Sequence, residues 1–150
     1  WLGFMDQSLS HNGITNDVEQ TFKKHDAIYG DAFEWLRRLG NRDEKFDVVV
    51  LDPPSTSINK KKKRWAAAKD YGDLVKLAAP LVKPGGAMWT TTNSRKLRPR
   101  QFAHIVRDAL RDISDEQEEP KLERSQPPPP DFPVKTMTSP EVKNLLWRFP

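Results

Sequence analysis

Asp52-Pro53-Pro54 is the part of this chain whose residue types and spacing could do chemistry. A carboxylate is followed by two residues that have no backbone N–H to give. Such a corner offers acceptors: carboxylate oxygens and bare carbonyls on a ring-stiffened backbone. It suits the N–H edge of a nucleobase, or an amine. A second polar group stands at Asn93, in Thr91-Thr92-Asn93-Ser94-Arg95, and its amide can donate and accept. Two basic clusters lie downstream of these points: Lys60-Lys61-Lys62-Lys63-Arg64, and Arg95, Lys96, Arg98 and Arg100. Five consecutive cations repel one another unless a polyanion holds them. Cys is absent, which removes disulfides, thiolate metal ligands and a Cys nucleophile from this span. His11, His25 and His104 share no metal-ligand spacing, so no metal is expected.

The element that carries the corner is Phe46 to Leu51. Its run Val48-Val49-Val50-Leu51 is apolar without alternation and rich in β-branching, which predicts a parallel strand covered on both faces. The prolines stop its ladder, leaving Asp52 at a strand's carboxyl end, where open α/β sheets place ligands. Upstream, helix-like residues 1–10 run to Asn12-Gly13, a left-handed stop, and Ala27-Ile28-Tyr29 is a short strand candidate. Phe33, Leu36 and Leu39 share a helix face that Gly40 should end. Residues 55–64 read as a polar loop. Tyr71, Leu74, Val75, Ala78 and Leu81 predict a helix over 66–82, and Pro84-Gly85-Gly86 a turn. Ala87 to Thr92 is the next strand. Phe102, Ile105, Val106, Ala109 and Leu110 predict a helix over 99–113 with Pro99 in its first turn. The acidic residues 115–119 and the proline-rich 126–133 are connections around strands at 121–124 and 142–149. Alternating strands and helices imply an α/β fold, mostly parallel, with helices on both faces and an antiparallel final pair.

The bulk numbers agree with one such domain over 1–150. The 150 residues are 36% hydrophobic and 31% charged, with a mean hydropathy of −0.77, a net charge of +4 and a pI near 9.4. No apolar run approaches the length of a membrane span, so no membrane partner is expected. The start at Trp1 shows neither an initiator Met nor a targeting pattern, as if it were the inside of a longer chain.

Four segments at these positions resemble a known family. They are Gly30-Asp31-Ala32-Phe33-Glu34-Trp35-Leu36; Leu51-Asp52-Pro53-Pro54-Ser55; Asp70-Tyr71-Gly72-Asp73-Leu74-Val75; and Pro84-Gly85-Gly86 leading to Thr91-Thr92-Asn93-Ser94-Arg95. Residues 27–150 are similar to the C-terminal two-thirds of a class I S-adenosylmethionine-dependent methyltransferase. The likeness is to the ribosomal RNA large-subunit group K, L and I and its plant and algal relatives. The resemblance implies a Rossmann-like sheet without its first strands and S-adenosylmethionine as cofactor. It implies Asp31, Ala32 and Phe33 around the adenine, with Asp52, Pro53 and Pro54 where methyl donor meets base. Asp31 could equally N-cap the helix after it. It implies RNA, ribosomal by family, as the partner of Lys60, Lys61, Lys62, Lys63, Arg64, Arg95 and Arg98. The setting would be intracellular: the cytoplasm, or the chloroplast in a plant or alga.

Two departures shape the expectation. The glycine-rich loop that closes on the cofactor's methionine half is missing before Asp31, and Asp6 reads as a helix-surface residue rather than the ribose-binding acid. The aromatic that bacterial relatives carry after Asp-Pro-Pro is replaced by Ser55-Thr56-Ser57, leaving Trp65 or Phe132 for base stacking. Relatives that methylate cytosine use a Cys after the fifth strand. Thr92-Asn93-Ser94-Arg95 is closer to those that make N7-methylguanine, where the base nitrogen is already a nucleophile and needs only placement. Methylation of an exocyclic amine, and an RNA- or partner-binding fold without turnover, stay open. With its first strands absent, the sheet should expose an edge at Val48 to Leu51. A second chain or a preceding segment could cover that edge, and residues 46–150 should hold the core while 1–30 pack poorly.

Overall fold

The computed structural model of the chain describes residues 2–14, 28–58, 64–115, 118–126 and 142–150. They divide into two compact units, Trp1–Ala32 and Phe33–Pro150. In the first, helix α1 (Leu2–His11) ends as expected. Gly13, at φ 69°, takes the left-handed turn, and the Ile14 N–H returns to the Leu9 carbonyl at 2.9 Å. The strand expected over 27–29 does not form at Ile28 and Tyr29, and residue 27 lies outside the described set. The reason is physical: a strand needs a ladder partner, and the described residues of this unit contain no strand.

The second unit holds the sheet. Helix α2 (Ala32–Asn41) opens at its boundary and runs past Gly40. Its stop is Asp43, left-handed at φ 53°, with the Glu44 N–H bonding the Leu39 carbonyl at 3.1 Å. A short polar side chain tolerates that conformation, so glycine was not required. Strand β1 (Phe46–Leu51) follows. Strands β2 (Thr56–Ile58) and β3 (Arg64–Ala66) form an antiparallel ladder of their own where a polar loop was expected. Helix α3 (Ala67–Ala78) passes through a 3-10 turn, Ala79–Leu81, into β4 (Val82–Thr92). Helix α4 (Pro99–Arg111) starts with Pro99, and the Gln101 side chain accepts the Arg98 backbone N–H at 3.0 Å. Strands β5 (Lys121–Gln126) and β6 (Lys143–Arg148) complete the unit.

The sheet order is β1-β4-β6-β5. Only β1 and β4 are parallel; β6 runs antiparallel to both β4 and β5. The final antiparallel pair is as expected, whereas a mostly parallel described sheet is not. The expected turn at Pro84-Gly85-Gly86 is a bulge inside β4: Phe46 pairs with Val82 and Val48 with Ala87, so Lys83–Gly86 stand opposite Asp47. Lys83 Nζ donates to both Asp47 carboxylate oxygens at 2.9 Å, closing the bulge. Gly86 is required there. A Cβ on it would lie 2.8 Å from the Lys83 carbonyl and 2.9 Å from the Asp47 carbonyl.

Register shows which face is covered. Val49 pairs with Met88 and Met88 with Trp147; Leu51 pairs with Thr90 and Thr90 with Leu145. These side chains lie on one face, packed with Tyr71, Leu74 and Val75 of α3 and Phe102, Val106 and Leu110 of α4. The buried polar atoms there are paired, with Trp147 Nε1 donating to Thr90 Oγ1 at 3.2 Å. Val48 and Val50 face the other way and are 59% and 63% exposed. Among the described residues β1 is the edge of the sheet and its face bearing Val48 and Val50 is open, so it is not the strand covered on both faces that its composition predicts. An edge at Val48 to Leu51 was expected, and among the described residues the sheet ends at β1.

Candidate active site

The corner is built by what the prolines leave undone. Strand β1 stays paired with β4 to Leu51↔Thr90, and there Asp52-Pro53-Pro54 leaves the ladder. The Leu51 carbonyl and the Thr91 backbone then lack strand partners on that side. Tyr71, from α3, supplies them. Its hydroxyl sits 3.0 Å from the Leu51 carbonyl and 2.9 Å from the Thr91 carbonyl, and it accepts the Thr91 N–H at 3.1 Å. Burial raises its pKa well above the tyrosine range; bonding to Thr91 opposes the shift and the charge of Asp52 adds to it. The Tyr71 ring is held edge-on against Phe102 at 4.9 Å and 89°. A neutral hydroxyl thus ties the carboxyl ends of β1 and β4 together directly beneath Asp52.

Beyond Asp52 the chain is pinned in three more places. Trp65 Nε1 donates to the Pro54 carbonyl at 2.9 Å, the Ala67 N–H to the Ser55 carbonyl at 3.0 Å, and the Ala66 N–H to Asp70 Oδ2 at 2.7 Å. The β2–β3 ladder is thereby rooted on the corner at its Thr56–Ala66 end. Trp65 also meets Phe33 edge-on at 5.6 Å and Tyr71 at 6.4 Å, so an aromatic row runs from α2 across the corner to α3. Across the mouth, Ser55 Oγ donates to Asn93 Oδ1 at 2.6 Å, bridging the segments that follow β1 and β4. The turn after Asn93 is held by the Ser94 N–H to Thr92 Oγ1 at 3.2 Å. Buried Lys143 on β6 also donates to the Ser94 carbonyl, at 2.8 Å.

Of the expected site residues, the structure brings Asp52, Pro53, Pro54 and Asn93 together, with Phe33 one aromatic contact away through Trp65. Asp31 and Ala32 belong to the first unit. Lys60, Lys61, Lys62, Lys63 and Phe132 lie outside the described residues. Arg64 is exposed on β3, and Arg95 and Arg98 are exposed in the turn before α4. Because β1 and β4 are parallel, these three follow strands that end on the same side of the sheet. Asp6 is an exposed residue of α1. Corner carbonyls were expected to be bare, but Pro54 gives its oxygen to Trp65. The acceptors left among the described residues are the Asp52 carboxylate and the Pro53 carbonyl. Sequence reading missed Tyr71, Ser55 and Lys143 as parts of this site. Their signal is a polar group in an apolar setting: a hydroxyl on the inner face of α3, and a lysine alternating with Leu145 and Trp147.

The fold matches that of methyltransferases. The chain has the fold of SMU.776, a methyltransferase complexed with SAH, at a TM-score of 0.78 and 19% identity, over 95% of this chain and 34% of that one. The SAM-dependent methyltransferase from Agrobacterium tumefaciens superposes with a TM-score of 0.63 at 16% identity, over 99% of this chain and 45% of that one. No family model matches. This chain carries part of a class I S-adenosylmethionine-dependent methyltransferase fold.

In sequence it is a relative of ribosomal RNA large subunit methyltransferase I. It is 35% identical to that protein of Klebsiella pneumoniae over 106 residues, 71% of this chain and 25% of the relative. It is 36% identical to that of Aeromonas salmonicida over 107 residues, again 71% of this chain and 25% of the relative. The chain therefore spans about a quarter of the length of these curated relatives.

Proposed function

We propose that the chain provides the acceptor-binding part of an S-adenosylmethionine-dependent RNA methyltransferase. Its target would be ribosomal RNA, methylated on a base nitrogen such as guanine N7. One observation carries the reading: the Ser55–Asn93 hydrogen bond joins the segment that follows Asp52-Pro53-Pro54 to the one that follows β4, in a chain that contains no Cys. Guanine N7 attacks with its own lone pair, so the site need only hold the ring in line. Asp52 and the Pro53 carbonyl accept the base's N–H groups, Asn93 fixes its rotation, and Tyr71 keeps the ends of both strands from spreading. Arg64, Arg95 and Arg98, with Lys60 to Lys63, hold phosphates. Methylation of an exocyclic amine would use the same acceptors.

The fit to the cofactor is to one half. Phe33, joined to the corner through Trp65, offers an aromatic face for an adenine, and Asp31 and Ala32 precede it on the chain. The residues before Asp31 contain only Gly3, Gly13 and Gly30, so no glycine-rich turn for the methionine half lies among them. S-adenosylmethionine, when bound, supplies the methyl group; Phe33 and Asp52 are the residues of the second unit that would hold it. A second reading, an RNA-binding or partner-binding fold without turnover, would use the same exposed Arg64, Arg95 and Arg98. The bacterial relatives favour a cytoplasmic setting over a chloroplast. Calorimetric titration with S-adenosylmethionine tests the cofactor part. Heat that disappears in Phe33→Ala supports it. No heat with this chain, or with a longer product of the same gene, leaves the binding-module reading.

A further inference from the structure

We infer that Ser55 is a positioning residue that fixes which end of the Asn93 amide faces the bound base, so that the site takes guanine in preference to adenine. The inference rests on the base-holding reading above and deepens it. An amide offers an acceptor on one prong and a donor on the other. Ser55 Oγ donates to Asn93 Oδ1 at 2.6 Å, which occupies the acceptor prong. Asn93 Nδ2 then lies on the other prong, with no hydrogen-bond partner among the described residues.

Ser55 is itself held in place. Its carbonyl accepts the Ala67 N–H at 3.0 Å, and the preceding Pro54 carbonyl accepts Trp65 Nε1 at 2.9 Å. The hydroxyl therefore comes from a fixed backbone onto an exposed side chain that could otherwise rotate through both settings.

The Ser55 bridge thus brings one amide donor, Asn93 Nδ2, to the segment that begins with Asp52 and its two acceptor oxygens, just past the last β1–β4 pair, Leu51↔Thr90. Guanine complements it: O6 is an acceptor, and the neighbouring N1–H and N2–H are donors for a carboxylate. Adenine presents an amine where guanine has O6 and a bare nitrogen where guanine has N1–H. It would face the Asn93 amine with an amine and Asp52 with a lone pair. With the Ser55 hydroxyl removed, the amide is free to turn over, and its oxygen can meet an amine. Loss of Ser55 should then cost selectivity more than affinity.

The test is fluorescence-anisotropy binding of short oligocytidine RNAs carrying one central guanosine, adenosine or 2-aminopurine. The wild-type chain should prefer guanosine to either by about tenfold, the size of one good base-edge pairing. In Ser55→Ala the preference should fall to about twofold, and Ser55→Thr, which keeps the hydroxyl, should retain it. A change that merely loosens the corner weakens all three RNAs alike and leaves the ratio where it was. A preference undiminished in Ser55→Ala, or lost equally in Ser55→Thr, overturns the inference alone. A wild-type chain that binds the three RNAs equally overturns the base-holding reading and the inference with it.

Discussion

Replacing Tyr71 with Phe removes one oxygen and keeps the ring that packs on Phe102. The oxygen serves three backbone groups at 3.0, 2.9 and 3.1 Å, where the prolines after Asp52 break the β1–β4 ladder. A hydroxyl has one proton, so two bonds are fully made, one given to a carbonyl and one accepted from the Thr91 N–H. Leaving a buried group unsatisfied costs about 1–3 kcal/mol. Thr91 is half-buried, which keeps its share low, so Tyr71→Phe should cost about 2–4 kcal/mol, a fall in Tm of roughly 5–15 °C. The same hydroxyl predicts a pH signature. Its pKa is raised in the folded chain, chiefly by burial, so its contribution is complete below the unfolded tyrosine value of about 10 and is lost as pH rises above it. Urea denaturation of wild type and variant at neutral pH and near pH 11 measures both effects. The stability gap should narrow by about 1 kcal/mol or more at high pH. A gap below about 0.5 kcal/mol at neutral pH, or one that does not narrow, refutes the brace.

Other expectations follow from single contacts. Gly86→Ala places a Cβ against two backbone carbonyls that cannot give way. It should destabilise the unit by about 2 kcal/mol or more in the same denaturation assay, and a loss near zero would mean the bulge rearranges freely. Trp65→Phe frees the Pro54 carbonyl, an extra acceptor at the corner. It should weaken discrimination among bases while costing about 1 kcal/mol of stability, read by RNA binding and melting. Val50→Lys, on the open face of β1 where the side chain is 63% exposed, should leave Tm within a degree or two and reduce self-association in sedimentation. The Asp47 carboxyl, clasped by Lys83, should titrate below the ordinary aspartate value in an NMR pH series and return to it in Lys83→Ala.

How much of this was legible in the sequence follows the range of the interactions involved. Helices α3 and α4 and the final hairpin announce themselves because their side chains recur or alternate within one element, and strand β1 because it is an unbroken β-branched run. Asp52-Pro53-Pro54 is legible for the same reason: two prolines end a ladder wherever they fall. What the sequence hides is made by distant or special pairings. The Tyr71 hydroxyl and the strand ends it serves are 20 residues apart, and Ser55 and Asn93 are 38 apart. Strands β2 and β3 hide among polar residues because their ladder is rooted by Trp65 and Ser55, not by an apolar face. The bulge of β4 mimics a turn through Pro84 and Gly85, and only the register against Phe46 and Val48 shows that the strand continues. Strand β1 misleads in the opposite direction, since its composition is that of a covered strand while its Val48 and Val50 face outward.

The proposed role of the corner at Asp52, completed by Asn93, is to hold an RNA base for methyl transfer without a covalent nucleophile. It is tested most directly by incubating the protein with ribosomal RNA and methyl-labelled S-adenosylmethionine, then digesting the RNA and identifying the labelled nucleoside by mass spectrometry. Label is expected in 7-methylguanosine and is abolished by Asp52→Ala. Label in 5-methylcytidine, or transfer that survives Asp52→Ala, would contradict it.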